Sequence, residues 1–221
     1  MKRFGKYCFV LLVALMFSGI ASASLLVVNC SSVSGPTELT GAAILCPQFS
    51  LLGQTLSNIQ ITVSGGISGT ITLTNNASST QTGSGTTTTS FSFGALSGFT
   101  FVNPIFPASF TTGTRTLTAS QTLTVPGLSA TGGGALGNDT TVFGPYTGAG
   151  NFSIPVSTST LFTVSGGGGF FSAAQAANAN ATAQVTYTYA PITSGVPEPT
   201  TLYLLGLGLV GFGFLARKFR K

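Results

Sequence analysis

The sequence predicts an all-β protein: a sandwich or jelly-roll-like exported domain, with an N-terminal signal peptide before it and a single C-terminal transmembrane helix after it. Three observations predict this. Apolar residues alternate with Thr, Gln and Asn over many short runs, the period of a half-buried strand. Gly, Ser and Thr separate those runs in the manner of turns. Basic residues gather at the two chain ends, each time beside an apolar run. Lys2, Arg3 and Lys6 open the chain and Arg217, Lys218, Arg220 and Lys221 close it, which leaves Arg115 as the other basic residue of the eight.

Residues 1–23 read as a signal peptide. Lys2, Arg3 and Lys6 form its positive start, "YCFVLLVALMFSGI" its apolar stretch, and Ala21-Ser22-Ala23 the small residues that signal peptidase requires, so cleavage is expected after Ala23. Export places the remaining Cys30 and Cys46 in an oxidising compartment. A disulfide between them is expected, with two free thiols as the alternative.

Residues 24–192 read as the β-rich exported domain. In "ATAQVTYTYA", Ala183, Val185, Tyr187 and Tyr189 share one face. In "NIQITVSGG" and "GTITLTNN" the inward faces are Ile59, Ile61 and Val63, then Ile71 and Leu73. Gly65, Gly66 and Gly69 between them suggest a hairpin or short connection. Further strands are expected over 90–95, 115–125, 151–155 and 158–165. "SSTQTGSGTTTTS" (78–90) reads as a loop or a strand with a disordered approach, and "SATGGGALGND" (129–139) as a flexible loop. Residues 173–181 fit a short Ala-rich helix and an extended segment equally. Phe91, Phe93, Phe99, Phe101, Phe106, Phe110, Phe143, Phe152, Phe162, Phe170 and Phe171 are expected to supply most of the core.

Composition narrows the chemistry. Charged residues make up 5% of the chain and His is absent, which excludes His-based triads and His metal sites. Between Ser24 and Thr200 the charges are Glu38, Arg115, Asp139 and Glu198, so no basic patch exists for nucleic acid. Glu38 and Asp139 are too isolated to signal a glycosidase pair or a calcium site. No catalytic residue, metal ligand or cofactor is assigned, and the chain is read as a non-enzyme. An uncharged Thr-rich surface does not repel a polyanionic matrix, which suits a structural protein of the cell surface or extracellular matrix. A carbohydrate-binding module for exopolysaccharide is the alternative.

Residues 193–200 form a Pro-rich linker carrying Pro197, Glu198 and Pro199. The two prolines bar a regular helix and present Glu198 on extended backbone. Residues 201–216, "TLYLLGLGLVGFGFLA", read as the transmembrane helix, about 24 Å long at 1.5 Å per residue. Residues 217–221 read as a basic tail, held in the cytoplasm by the positive-inside rule.

Pro197-Glu198-Pro199, the apolar run and the terminal Arg217, Lys218, Arg220 and Lys221 together resemble the bacterial PEP-CTERM sorting signal. The resemblance implies recognition and processing by exosortase, an integral membrane protease. It also implies transit through the inner membrane and delivery to the cell surface or matrix. The exported domain resembles the choice-of-anchor group through Phe49, Leu52, Gly53, Leu56 and Ile59, the stretch "FGPYTGAGNFSI" and the closing "VTYTYAP". That resemblance implies a β-rich exported domain and no known reaction.

Overall fold

Nine strands build two facing sheets in a computed structural model that describes residues 23–191 and 204–209. They are β1 (Ser24–Pro36), β2 (Ala42–Pro47), β3 (Gln54–Asn75), β4 (Gln81–Phe93), β5 (Phe106–Thr111), β6 (Arg115–Leu117), β7 (Thr122–Asp139), β8 (Asn151–Gly166) and β9 (Phe171–Pro191). One sheet runs β1-β9-β3-β7. The other runs β2-β8-β4-β5, with β6 added beside β4.

The antiparallel pairs are nested. β4 pairs with β5 at the centre, then β3 with β7, β2 with β8, and β1 with β9 outermost. Successive pairs fall in alternate sheets, so the chain behaves as one long hairpin rolled up on itself. That is the jelly-roll connectivity. The chain divides into two units, Met1–Ala190 and Pro191–Lys221.

The inward faces follow the period-2 pattern. Ile59, Ile61, Val63, Ile71, Leu73, Ala183, Val185 and Tyr187 are buried, and Phe91 stacks on Phe106 with ring centroids 4.7 Å apart. Phe93, Phe99, Phe110 and Phe171 are also buried. Phe101, Phe143, Phe152 and Phe162 pack against the core from partly buried positions. Phe170 departs from expectation: it is 60% exposed, because it sits in the short β8–β9 connection while Phe171 takes the inward position.

The glycines mislead in two places. Residues 54–75 form one continuous strand, not a hairpin. Gly65 and Gly69 let β9 approach closely: a side-chain carbon at Gly65 would fall 2.6 Å from the Asn180 carbonyl oxygen, and one at Gly69 would collide with that of Ala176. Residues 129–139 belong to β7, where Gly132 lies beneath Phe106 and Gly134 beneath Ile105. The Thr-rich run 81–90 likewise lies within β4, and residues 151–166 form one strand where two were expected. The expected strand 115–125 is broken at 118–121, where Gln121 accepts from the Thr118 amide. Residues 173–181 are extended within β9. β9 lies between β1 and β3, and pairing on its two sides takes up its backbone hydrogen bonds, which outweighs the helix propensity of Ala.

The tail is described only in part. Among the described residues, 204–209 are helical, and no described helix is long and apolar enough to cross a membrane. Gly206 and Gly208 lie within those residues, and each lowers helix propensity by about 1 kcal/mol relative to Ala. The rest of the expected 201–216 span lies outside the described residues.

Threonine does a second job inside the sandwich. Thr87, Thr89, Thr112 and Thr158 are buried. Thr158 Oγ1 accepts from the Leu39 amide at 2.8 Å and donates to the Thr37 carbonyl at 2.5 Å, while Thr89 and Thr160 share a hydroxyl contact at 2.9 Å. Among the described residues, every buried side-chain polar atom has a partner.

Candidate functional site

Strand direction brings both ends of the domain to one end of the sandwich. Ser24 at the start of β1 pairs with Tyr189 near the end of β9. The connections 48–53, 94–105 and 140–150 lie at this same end, since β2, β4 and β7 finish there and β3, β5 and β8 begin there.

Tyr146 knits the three connections together. It lies in a 3-10 turn at Gly144–Tyr146 and is buried. Its hydroxyl donates to the Ser97 carbonyl at 2.6 Å, and its ring meets Phe99 and Phe152 edge-on at 5.7 and 4.9 Å. Its carbonyl accepts from the Phe49 amide at 2.8 Å, and the Phe49 ring packs on Tyr187 and Tyr189. Beside Phe49 opens a groove of about 380 Å³, lined by Leu51, Leu52, Leu56, Thr147 and Ala149.

Asp139 is the buried acid of this end. Its Oδ1 accepts from the Thr141 amide at 2.8 Å, the Thr141 hydroxyl at 3.0 Å and the Val142 amide at 3.0 Å. Burial raises the pKa of this carboxyl, but the hydrogen bonds from Thr141 and Val142 outweigh burial and hold it below the ordinary aspartate value. The acceptors are used by donors of its own turn, which accounts for Asp139 structurally. Glu38 lies elsewhere, its Oε1 accepting from the Thr160 amide at 3.3 Å, so the two acids serve separate turns.

These groups set a pH window. A lowered folded pKa gives Asp139 a contribution fully present above the unfolded value, about 3.9, and lost as pH falls through the folded value. Burial, then the Asp139 charge, pushes the Tyr146 phenol up to about 12. Its contribution is present below the ordinary phenol value, about 10, and is lost as pH rises toward the folded one. The urea midpoint is therefore expected to be flat from about pH 5 to 9 and to fall beyond either limit, with Asp139→Asn softening the acid limb and, by removing the charge beside Tyr146, also easing the alkaline one.

On the outer face of the β1-β9-β3-β7 sheet lies a polar saddle of about 560 Å³, lined by Asn29, Thr62, Ser64, Gly134, Thr182 and Gln184. Gln184 Nε2 donates to Asn29 Oδ1 at 3.0 Å. The other outer face is hydroxylated as well, with Thr86 on Thr111 and Thr88 on Ser109 at 3.1 and 2.9 Å.

Cys30 and Cys46 are joined in a disulfide that links edge strand β1 of one sheet to edge strand β2 of the other, with Cα atoms 4.3 Å apart. Closing that 16-residue separation stabilises the fold by about 3 kcal/mol in the chain-entropy account. Ala23 is exposed and directly precedes β1. Ala21, the sorting residues Pro197, Glu198 and Pro199, and the basic Arg217, Lys218, Arg220 and Lys221 lie outside the described residues.

What decides the character of the chain is its C-terminal stretch. Residues 195–221 match the PEP-CTERM protein-sorting motif. The motif supports an exported protein that passes through a membrane and is processed by exosortase, a membrane protease. No curated protein sequence matches the chain.

Among solved structures, the chain is similar to that of infectious bursal disease virus Gx strain at 10% identity and a TM-score of 0.15, covering 86% of this chain and 51% of that one. The T13 particle of the same virus gives 10%, 0.13, 87% and 47%. The parasporin-2 toxin of Bacillus thuringiensis gives 13%, 0.10, 76% and 68%. The chain spans about half the length of these viral chains, and at such TM-scores the likeness carries no argument.

Proposed function

We propose that this PEP-CTERM protein is a structural component of the cell surface or extracellular matrix, delivered there after exosortase acts on its tail. The match at 195–221 carries this reading. In it, signal peptidase removes residues 1–23, and the apolar run 201–216 holds the chain in the inner membrane until the tail is cleaved. The exported domain is read as one of the choice-of-anchor type. Its uncharged outer faces, whose hydroxyls bond one another across strands, support close packing in a polyanionic matrix.

Exopolysaccharide binding is the second reading, favoured by the polar saddle around Asn29, Thr62 and Gln184. Fractionation of producing cells and a glycan array test both readings. The tail-processed protein is expected in the surface or matrix fraction, without saturable binding to any glycan. Saturable binding that Gln184→Ala weakens about tenfold, the scale of one lost hydrogen bond to a ligand, establishes the carbohydrate reading instead. Hydrolysis of a glycan or peptide by the purified protein overturns both.

A further inference from the structure

The end of the sandwich from which the chain leaves is apolar at its tips and free of exposed charge. Leu52 is 97% exposed and Val102 85%, and Leu51 and Val142 add further exposed apolar surface. They come from all three connections at this end, 48–53, 94–105 and 140–150. Leu25, next to the start of β1, is 66% exposed beside them in the topology. None of the three connections contains Asp, Glu, Lys or Arg, and the acid bordering the third, Asp139, is buried.

The other charges of the domain are placed away from this end. Arg115 pairs with Gly83 near the start of β4, at the opposite end, and Glu38 reaches Thr160, well along β8. An exposed charge pressed against hydrocarbon is costly, whereas Leu and Val side chains gain by entering it.

Chain connectivity names the occupant. Ser24 follows the apolar run that ends at Ile20, and β9 ends at Pro191, ten residues before the run that starts at Thr201. Ten residues reach roughly 35 Å at most. The linker to the C-terminal apolar run therefore leaves the domain at the end bearing Leu52 and Val102.

We infer that the Leu51-Leu52, Val102 and Val142 loops form a membrane-contact surface, which seats this end of the sandwich on the lipid interface while the chain is anchored. The inference rests on the proposed anchoring of residues 201–216. The loops are held as one surface by Tyr146, which ties 140–150 to Ser97 and to Phe49. Insertion of loop tips reaches about 5–10 Å into the headgroup and acyl boundary.

The chain contains no Trp, so single substitutions report without background. Leu52→Trp, Val102→Trp, Phe170→Trp and Leu209→Trp are made separately in the full chain, and all four positions are exposed. Each variant is reconstituted in phosphatidylcholine and phosphatidylglycerol vesicles, with or without brominated phosphatidylcholine. Leu209→Trp reports tail insertion, and Phe170→Trp reports the opposite end. The expected result is about twofold quenching at Leu209→Trp, Leu52→Trp and Val102→Trp, with Phe170→Trp unquenched. Quenching at Leu209→Trp alone overturns the membrane-contact surface and leaves the anchoring reading intact. Absence of quenching at Leu209→Trp overturns the anchoring reading and this inference with it. Quenching at all four positions overturns an oriented contact. A blue shift at Leu52→Trp that bromolipid does not quench, but dilution reverses, assigns the surface to a second copy of the chain and overturns the lipid proposal.

Discussion

Alanine at Pro197, Glu198 and Pro199 together is expected to leave the tail uncleaved and the protein held in the inner membrane, with a melting curve like the parent's. The triplet lies in the sorting motif at 195–221 and past the last strand, which ends at Pro191. Two prolines prevent helix formation across the triplet, and Glu198 stands between them as an isolated charge. Alanine removes both the proline constraint and the charge, so the handle expected for a membrane protease is lost. Substitutions remote from packed groups shift stability by about 0.5 kcal/mol or less. Membrane fractionation with a tail-specific antibody reads the result, and a host without exosortase should reproduce it with the parent sequence. Triple-alanine protein recovered at the surface with its tail removed would falsify the sorting role of the triplet.

Asn75→Asp is expected to destabilise the domain by about 3–5 kcal/mol, the range for breaking a buried hydrogen-bond network. Asn75 is fully buried at the end of β3. Its Nδ2 donates to the carbonyls of Ser79, Leu117 and Thr118 at 2.8, 3.1 and 2.8 Å, and its Oδ1 accepts from the Ala77 amide at 2.9 Å. Aspartate keeps the size but replaces the donor with an acceptor facing three carbonyl oxygens. Either a charge is buried against them or the group stays protonated with one donor for three acceptors. At about 2–4 °C per kcal/mol for a domain of this size, melting falls by roughly 6–20 °C. A change under 2 °C would show that the β3–β4 turn and the β6–β7 turn do not depend on this amide.

Local chemistry made much of the fold legible. Ile59, Ile61 and Val63, and Val185 with Tyr187, alternate with polar residues and lie inside, because a strand turns successive side chains to opposite faces. Phe91, Phe93, Phe106 and Phe110 are inside for the same reason. Legibility failed where one residue type serves two purposes. Glycine marks turns, yet Gly65 and Gly69 are inside β3 because β9 comes too close for a side chain. Threonine marks wet surfaces, yet Thr87 and Thr89 are buried because Gln175 and Thr160 meet their hydroxyls. Alanine favours helix, yet 173–181 are extended because neighbouring strands take up the backbone hydrogen bonds.

The candidate sites divide in the same way. Pro197-Glu198-Pro199, the apolar run and the basic end are linear features, read by a protease from consecutive residues, so spacing alone identifies them. Tyr146, Asp139 and Asn75 carried no such signal. The partners of Tyr146 are Ser97, Phe49 and Phe152, brought from three separate stretches by the rolled hairpin.

The sequence by itself determined the all-β class, the faces of the clearest strands and the sorting motif, since each depends on residues adjacent or alternating along the chain. Tertiary structure alone decided that Ser24 pairs beside Tyr189, that Cys30 meets Cys46 across the two sheets, and that Leu52, Val102 and Val142 share one end. Those facts depend on which strands pair. Pairing is settled by the combined burial of both sheets, a sum over residues far apart in the chain that no local pattern encodes.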